Sequence, residues 1–169
     1  MWELFPDARF VLLVRHGLDV AYSLAERRYR FAALDRHLAA TKGDLPVAAA
    51  RFWSAQNDKM EAFRLAHPES CMRVRYEDLT AHPEPTLRKV FAFVGEAWEP
   101  AVVEFNRFPH DTGHEDPIVR WRDRIETNSG KWSAWPNDVV DRAAAACGST
   151  LARLGYEVAR PPHSAGKAS

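Results

Sequence analysis

The 169-residue sequence is short of four things, and each shortage removes a class of protein. It has only two cysteines, Cys71 and Cys147, far apart and without metal-type spacing. Neither a disulfide framework nor a thiolate zinc site is encoded, and a reducing cytoplasm is the expected setting. It has no excess of either charge, since Lys+Arg and Asp+Glu both number 23. No global field therefore favours nucleic acid or an anionic membrane, and any anion site must be local. Long apolar runs are missing too. The first, Phe10 to Val14, is too short for a signal-peptide core and far below the about 20 residues of a membrane span. Met1-Trp2-Glu3 opens on an acid rather than the basic flank a signal peptide carries. Finally, there is no internal repeat. The partners this leaves are small molecules or other proteins, with neither nucleic acid nor membrane expected.

What is present argues for a folded core. Hydrophobic residues make up 46% of the chain, with six Trp and nine Phe. A chain of this length forms one compact domain that buries roughly 70% of its unfolded surface. Residues 1–158 are expected to form that domain. From Ala159 the composition turns to Pro, Ser, Gly and Ala, so 159–169 reads as a flexible C-terminal tail.

Phe10 to Val14 follows a Pro-Asp turn and reads as a strand buried on both faces. Leu18 to about Arg28 reads as a helix, with Val20, Leu24 and the ring of Tyr29 near one face. Val47 to Ala66 is a longer amphipathic helix, with Phe52, Met60 and Phe63 as core positions. Pro46 suits its first turn and Pro68 ends it. Cys71 to Tyr76 alternates Met72, Val74 and Tyr76 against arginines, a short second strand. Helices follow at Pro83–Val94, stopped by Gly95, at Pro100–Phe108, and at Asp138–Leu154, closed by Gly155. Strands alternating with helices define an α/β domain with a parallel sheet. Two strands are fewer than a doubly wound sheet usually has, so the pattern reads as part of a fold.

Arg15 stands directly after the first strand, where open α/β folds bind anions with help from free N–H groups at the helix start. A guanidinium there offers paired, charge-assisted hydrogen bonds, each worth about 1.5–3 kcal/mol. Ser23, eight residues on, lies about a turn into the helix, within reach of the same anion. The local pattern by itself also fits a solvated arginine and an ordinary helix serine.

Two families share these residues. Leu13-Val-Arg15-His16-Gly17 resembles the Arg-His-Gly signature of the histidine phosphatases, in which the His is the nucleophile that accepts a phosphoryl group. The second His and the Ser-x-x-x-Arg-x-x-x-Thr helix of that family have no counterpart, since His110 and His114 sit in a polar loop with no apolar strand before it. A longer match runs from Phe5-Pro-Asp-Ala-Arg9 through Phe10–Arg15 to Asp19-Val20 and Ser23. It resembles the sulfotransferase segment that holds the 3′-phosphate of PAPS (3′-phosphoadenylyl sulfate), and the resemblance implies phosphate contacts by Arg15 and Ser23. His16-Gly17 replaces the usual Asp/Asn-Pro pair.

Downstream segments extend this resemblance. Val74-Arg75-Tyr76-Glu77-Asp78-Leu79 is similar to the family's Tyr-Glu-Asp-Leu segment, which implies that Tyr76 approaches the adenine ring. Without the resemblance, Tyr76 reads as a half-buried packing residue. Pro83 to Gly95 matches the next helix, a packing element. Ser129-Gly130-Lys131-Trp132, then Leu154-Gly155-Tyr156, resembles the closing segment, where a Gly-x-Trp loop and basic residues cover the 3′-phosphate side. Lys131 is the implied cation, and Gly130 permits close backbone approach. Ile125-Glu126-Thr127 stands where animal cytosolic members have Arg-Lys-Gly; Arg120, Arg122 and Arg124 fit a substitute role and a solvated face equally. The Ser-Gly-Lys run is not a phosphate-cradling P-loop, because Ile125 occupies the position of its first Gly. The loop His110–Asp116 holds two His and three acids but no helical frame, and reads as solvated rather than as a metal site.

The resemblance implies an α/β fold with a partial P-loop-NTPase-like parallel sheet flanked by helices, its N-terminal strand and loop missing. It spans most of residues 2 to 156 and the C-terminal half to two-thirds of a small sulfotransferase. The implied cosubstrate is PAPS, with no metal, and the implied acceptor is a hydroxyl or amine on a small molecule or glycan. The 5′-phosphosulfate loop and the catalytic base of the family precede the segment that starts here at Phe5. The expectation is therefore a truncated, split or decayed enzyme, cytoplasmic, with a second chain as one source of the missing half. An exposed sheet edge and apolar face would follow. The rivals are a histidine phosphatase using His16 and an inactive interaction module.

Overall fold

The computed structural model describes residues 5–104 and 125–158. The chain divides into two compact units, residues 1–14 with 63–128, and residues 15–62 with 129–169. Among the described residues no helix is long and apolar enough to cross a membrane.

The first unit is built on two parallel strands, β1 (Phe10–Val14) and β2 (Cys71–Arg75), registered from Phe10 opposite Cys71 to Val14 opposite Arg75. Val14, Cys71 and Val74 are buried, and Phe10 packs edge-on against Phe63 at 5.1 Å. The strand expected to be buried on both faces is not. Val11 is 40% and Leu13 51% exposed, alternating with the better covered Phe10, Leu12 and Val14, so one face of β1 is packed and the other open.

Two helices follow β2. The first runs from Tyr76 to Ala81, so Tyr76 opens a helix rather than closing the strand. The second, Pro83–Val94, begins on proline and stops at Gly95, whose φ of +84° lets its N–H and that of Glu96 both return to the Phe91 carbonyl at 3.0 Å. None of its residues is fully buried; Arg88 lies over the ring of Trp98, which Phe91 meets edge-on. Of the helix expected at Pro100–Phe108, Pro100–Val103 is a 3-10 turn capped by Glu104, and residues 105–108 lie outside the described residues.

The second unit is helical. In chain order the described residues form α1 (Gly17–Glu26), α2 (Ala32–Ala40), α3 (Leu45–Ala66), α4 (Tyr76–Ala81), α5 (Pro83–Val94) and α6 (Asn137–Arg153). In α1 the buried residues are Gly17, Leu18, Asp19 and Ala21, whereas Val20 and Leu24 are half-buried and Tyr29 is 46% exposed. The expected face was turned, because the small residues Gly17 and Ala21 allow closer packing than the larger ones beside them. The same holds for α3. Phe52, Met60 and Phe63 are half-buried, and the core is made by Ala48, Ala49, Ala50 and Trp53, with Asn57. Three alanines in a row carry no periodic apolar signal, yet their size lets neighbours enclose the helix start. α2 falls outside the elements marked by sequence pattern; Leu34 is its one buried residue, too little to set a period.

α6 buries Val140, Ala143, Cys147 and Leu151 at the spacing of a single helix face. Ser54 and Thr150 hydroxyls meet at 2.5 Å, and Thr150 donates to Asp58 at 2.9 Å, which ties α3 to α6 through a fully hydrogen-bonded polar chain. Arg142 bridges Asp44 and Asp138 at the surface, where such pairs contribute about 0–1 kcal/mol.

Both cysteines are buried free thiols. Burial raises the Cys71 thiol despite the nearby Arg64, and pushes Cys147 up to about 12. Since the thiolate is the reactive form, native protein at pH 8 should leave Cys147 unmodified by iodoacetamide for hours. Unfolding in urea should then expose both thiols to complete labelling. Rapid alkylation of Cys147 in folded protein, read by peptide mass spectrometry, would contradict its enclosed environment.

Candidate functional site

The second unit gathers several of the singled-out residues through contacts distant in sequence. Arg15 is half-buried, and its carbonyl oxygen accepts from the Trp53 indole N–H at 3.2 Å. His16 is the N-cap of α1. Its Nδ1 accepts from the Leu18 N–H at 3.2 Å, which places the ring proton on Nε2, 3.1 Å from the Glu157 carbonyl oxygen to which it donates. The ring also lies parallel to Trp132, centroids 5.8 Å apart at 7°, and edge-on to Tyr156 at 5.3 Å. Trp132 and Tyr156 are both 6% exposed.

This settles the role of the His-Gly pair. Both ring nitrogens of His16 serve structure, one as helix cap and one as a tie to the C-terminal segment, so the imidazole is held as a cap rather than presented as a nucleophile. The phosphatase reading of His16 is therefore dropped. Asp and Asn are among the commonest N-caps; His16 supplies the same kind of acceptor from a larger ring, and that ring adds the stack on Trp132. Gly17 is required by packing: a Cβ there would stand 2.7 Å from Cε3 of Trp53.

Asp19 is the residue that spacing did not single out. It is 2% exposed, sits in the first turn of α1, and accepts from two backbone N–H groups, Gly130 through Oδ2 and Lys131 through Oδ1, each at 3.0 Å. The two donors lie 111 and 112 residues away. One carboxylate thus fixes the Gly130–Trp132 loop against α1, the helix that carries Ser23. Gly130 has a φ of +78°, the left-handed conformation that glycine adopts at little cost. From there Lys131–Ala134 makes a 3-10 turn that leaves the Lys131 side chain exposed and buries Trp132.

Three of the first four N–H groups of α1 have partners at the helix start. Leu18 N–H goes to the His16 ring, and those of Asp19 and Val20 go to the His16 carbonyl at 3.1 and 3.2 Å. Side chains expected to contact an anion are also found here. Arg15, half-buried Ser23 and exposed Lys131 are the candidates within the unit. Tyr76, half-buried at the start of α4, belongs to the first unit. The loop His110–Asp116, the arginines 120, 122 and 124, and the tail 159–169 lie outside the described residues.

The model of the sulfotransferase family matches residues 1–100. Protein-tyrosine sulfotransferase 1 of Danio rerio is 28% identical over 169 residues, covering 95% of this chain and 46% of the relative. The protein-tyrosine sulfotransferase of Drosophila melanogaster is 30% identical over 170 residues, again 95% of this chain but 32% of the relative. The chain thus spans about a third to a half of these relatives. Among solved structures, the sulfotransferase domain from the curacin biosynthetic pathway superposes with a TM-score of 0.66 at 19% identity, covering 89% of this chain and 54% of that one. The sulfotransferase domain of the Synechococcus PCC 7002 olefin synthase gives 0.59 at 21%, over 90% and 50%. The fold is the α/β fold of sulfotransferase domains. The chain belongs to the sulfotransferase family.

Proposed function

We propose that this chain binds the adenosine 3′,5′-bisphosphate part of PAPS and contributes that half of the site to sulfuryl transfer onto a hydroxyl or amine. The observation that carries the reading is the Asp19 clamp. It holds the Gly130–Lys131 backbone against the helix that bears Ser23, while His16, next to Arg15, stacks on Trp132, next to Lys131. These contacts tie together the backbone segments that carry Arg15, Ser23 and Lys131, and two cations with a hydroxyl suit a phosphate. Tyr76 as a neighbour of adenine enters through family resemblance alone.

In the reaction the sulfur–oxygen bond to the 5′-phosphate of PAPS breaks as the acceptor oxygen or nitrogen bonds to sulfur and loses its proton. The part of Arg15, Ser23 and Lys131 is to bind and orient the donor by its 3′-phosphate, away from the breaking bond. Such positioning contributes to catalysis by holding the reacting groups in line. The relatives are named for sulfation of protein tyrosine, so a tyrosine phenol is the acceptor class to try first.

Isothermal calorimetry with adenosine 3′,5′-bisphosphate tests the reading. Arg15→Ala should weaken binding by roughly 2–4 kcal/mol if two charge-assisted bonds vanish. Adenosine 5′-monophosphate, which lacks the 3′-phosphate, should bind wild type and variant alike. Absence of heat with folded wild-type protein would sink the proposal, and equal affinity of variant and wild type would remove Arg15 from the site.

A further inference from the structure

A groove in the first unit plays no part in the reading above. One wall is four consecutive residues of β2, Met72 to Arg75; the other includes Thr86 and Lys89 of α5, and the volume is about 430 Å³. That is within the size range of ligand clefts. Successive strand residues point to opposite faces, so a wall made by four in a row is the edge of the strand. β1 is the only strand neighbour of β2 among the described residues and contributes nothing to the groove, which therefore follows the other edge.

The chemistry of that edge is uneven. Arg73 and Arg75 share one side of the strand, and Met72 and Val74 the other, with Val74 buried and Arg73 exposed. Together with Lys89 they set three formal positive charges against the single carboxylate of Asp78. We propose that this groove docks an extended acidic segment of a partner protein as an added strand on β2. Main-chain pairing supplies the register, and alternate carboxylates meet Arg73, Arg75 and Lys89. A second copy of this chain is the poorer occupant, because pairing two β2 edges brings arginines opposite arginines, and like charges directly opposite are destabilising. Charged edges commonly guard against such self-pairing; a strand bearing acids removes the guard. The proposal rests on the first unit and is independent of the nucleotide reading.

The probe is an acetylated, amidated Glu-Val repeat of about eight residues, labelled with fluorescein and followed by anisotropy. Saturable binding is expected, weakened in about 0.5 M salt, with slower amide exchange at Met72–Arg75 in the complex. Arg73→Glu and, separately, Lys89→Glu should each weaken it roughly tenfold. The variants lie on different elements, so if melting curves show one misfolded the other still decides. A peptide N-methylated at alternate residues keeps its charge but cannot pair as a strand, and should not bind. Equal binding of that peptide, binding of a Lys-Val repeat, no binding of the Glu-Val repeat, or unchanged affinity in folded variants would each overturn the proposal.

Discussion

Asp19→Ala is expected to destabilise the second unit by about 3–6 kcal/mol, the sum of two charge-assisted hydrogen bonds at roughly 1.5–3 kcal/mol each. The carboxylate is 2% exposed and both bonds are partly buried, so water replaces its acceptor oxygens poorly once it is gone. Amide exchange at Gly130 and Lys131 should accelerate more than at Cys147 in α6, and urea unfolding should report the overall loss. Asp19→Asn keeps one acceptor oxygen but turns an NH2 group toward the second N–H, so an intermediate loss is expected. Nucleotide affinity should fall in both variants, through the misplaced Lys131 rather than any contact with ligand. A loss below about 1 kcal/mol for Asp19→Ala would mean that the loop is held by the Trp132 stack alone.

The second large effect sits at the pair Gly17 and Trp53. Trp53 is 4% exposed, packs over Gly17 and donates to the Arg15 carbonyl. Trp53→Ala should cost about 3–5 kcal/mol, the range for emptying a buried aromatic site. Gly17→Ala should cost about 1–3 kcal/mol for the opposite reason, since the added methyl stands inside the contact distance of three ring carbons, at 2.7, 2.8 and 2.9 Å. In the double variant the methyl enters the space that the ring has vacated. The combined loss should then fall short of the sum by about 1 kcal/mol or more. Additive losses in a denaturation series would show that Gly17 is kept for some reason other than this ring.

His16 and Asp19 show what a sequence can and cannot carry. His16 beside Gly17 invited a phosphoryl-transfer reading, because three residues look alike whether the ring is a nucleophile or a cap. Its partners, Leu18, Glu157, Trp132 and Tyr156, are what separate the two, and three of them lie more than a hundred residues downstream. Asp19 stood inside the matched segment without a role, since a carboxylate in a first turn is ordinary for helix electrostatics alone. Only the loop that folds onto it makes it a clamp.

By itself the sequence determined whatever depends on neighbours along the chain. The strand Phe10–Val14, the helix that starts at Pro83 and stops at Gly95, the long helix from Asn137, and the spacing of Arg15 and Ser23 are all set by local propensity and periodicity. The shortages it opened with hold at that level too: two cysteines and balanced charge leave any anion site to a few local side chains. The tertiary structure decided which faces are buried. Gly17, Ala21 and Ala48–Ala50 are buried beside Leu18 and Trp53, whereas Val20, Leu24, Phe52 and Met60 are only half-buried, because burial also follows how near two backbones can come. It also decided that Asp19 holds the Gly130–Lys131 backbone against α1. Hydrogen bonds across more than a hundred residues leave no period to read, and that is why the clamp appeared only in three dimensions.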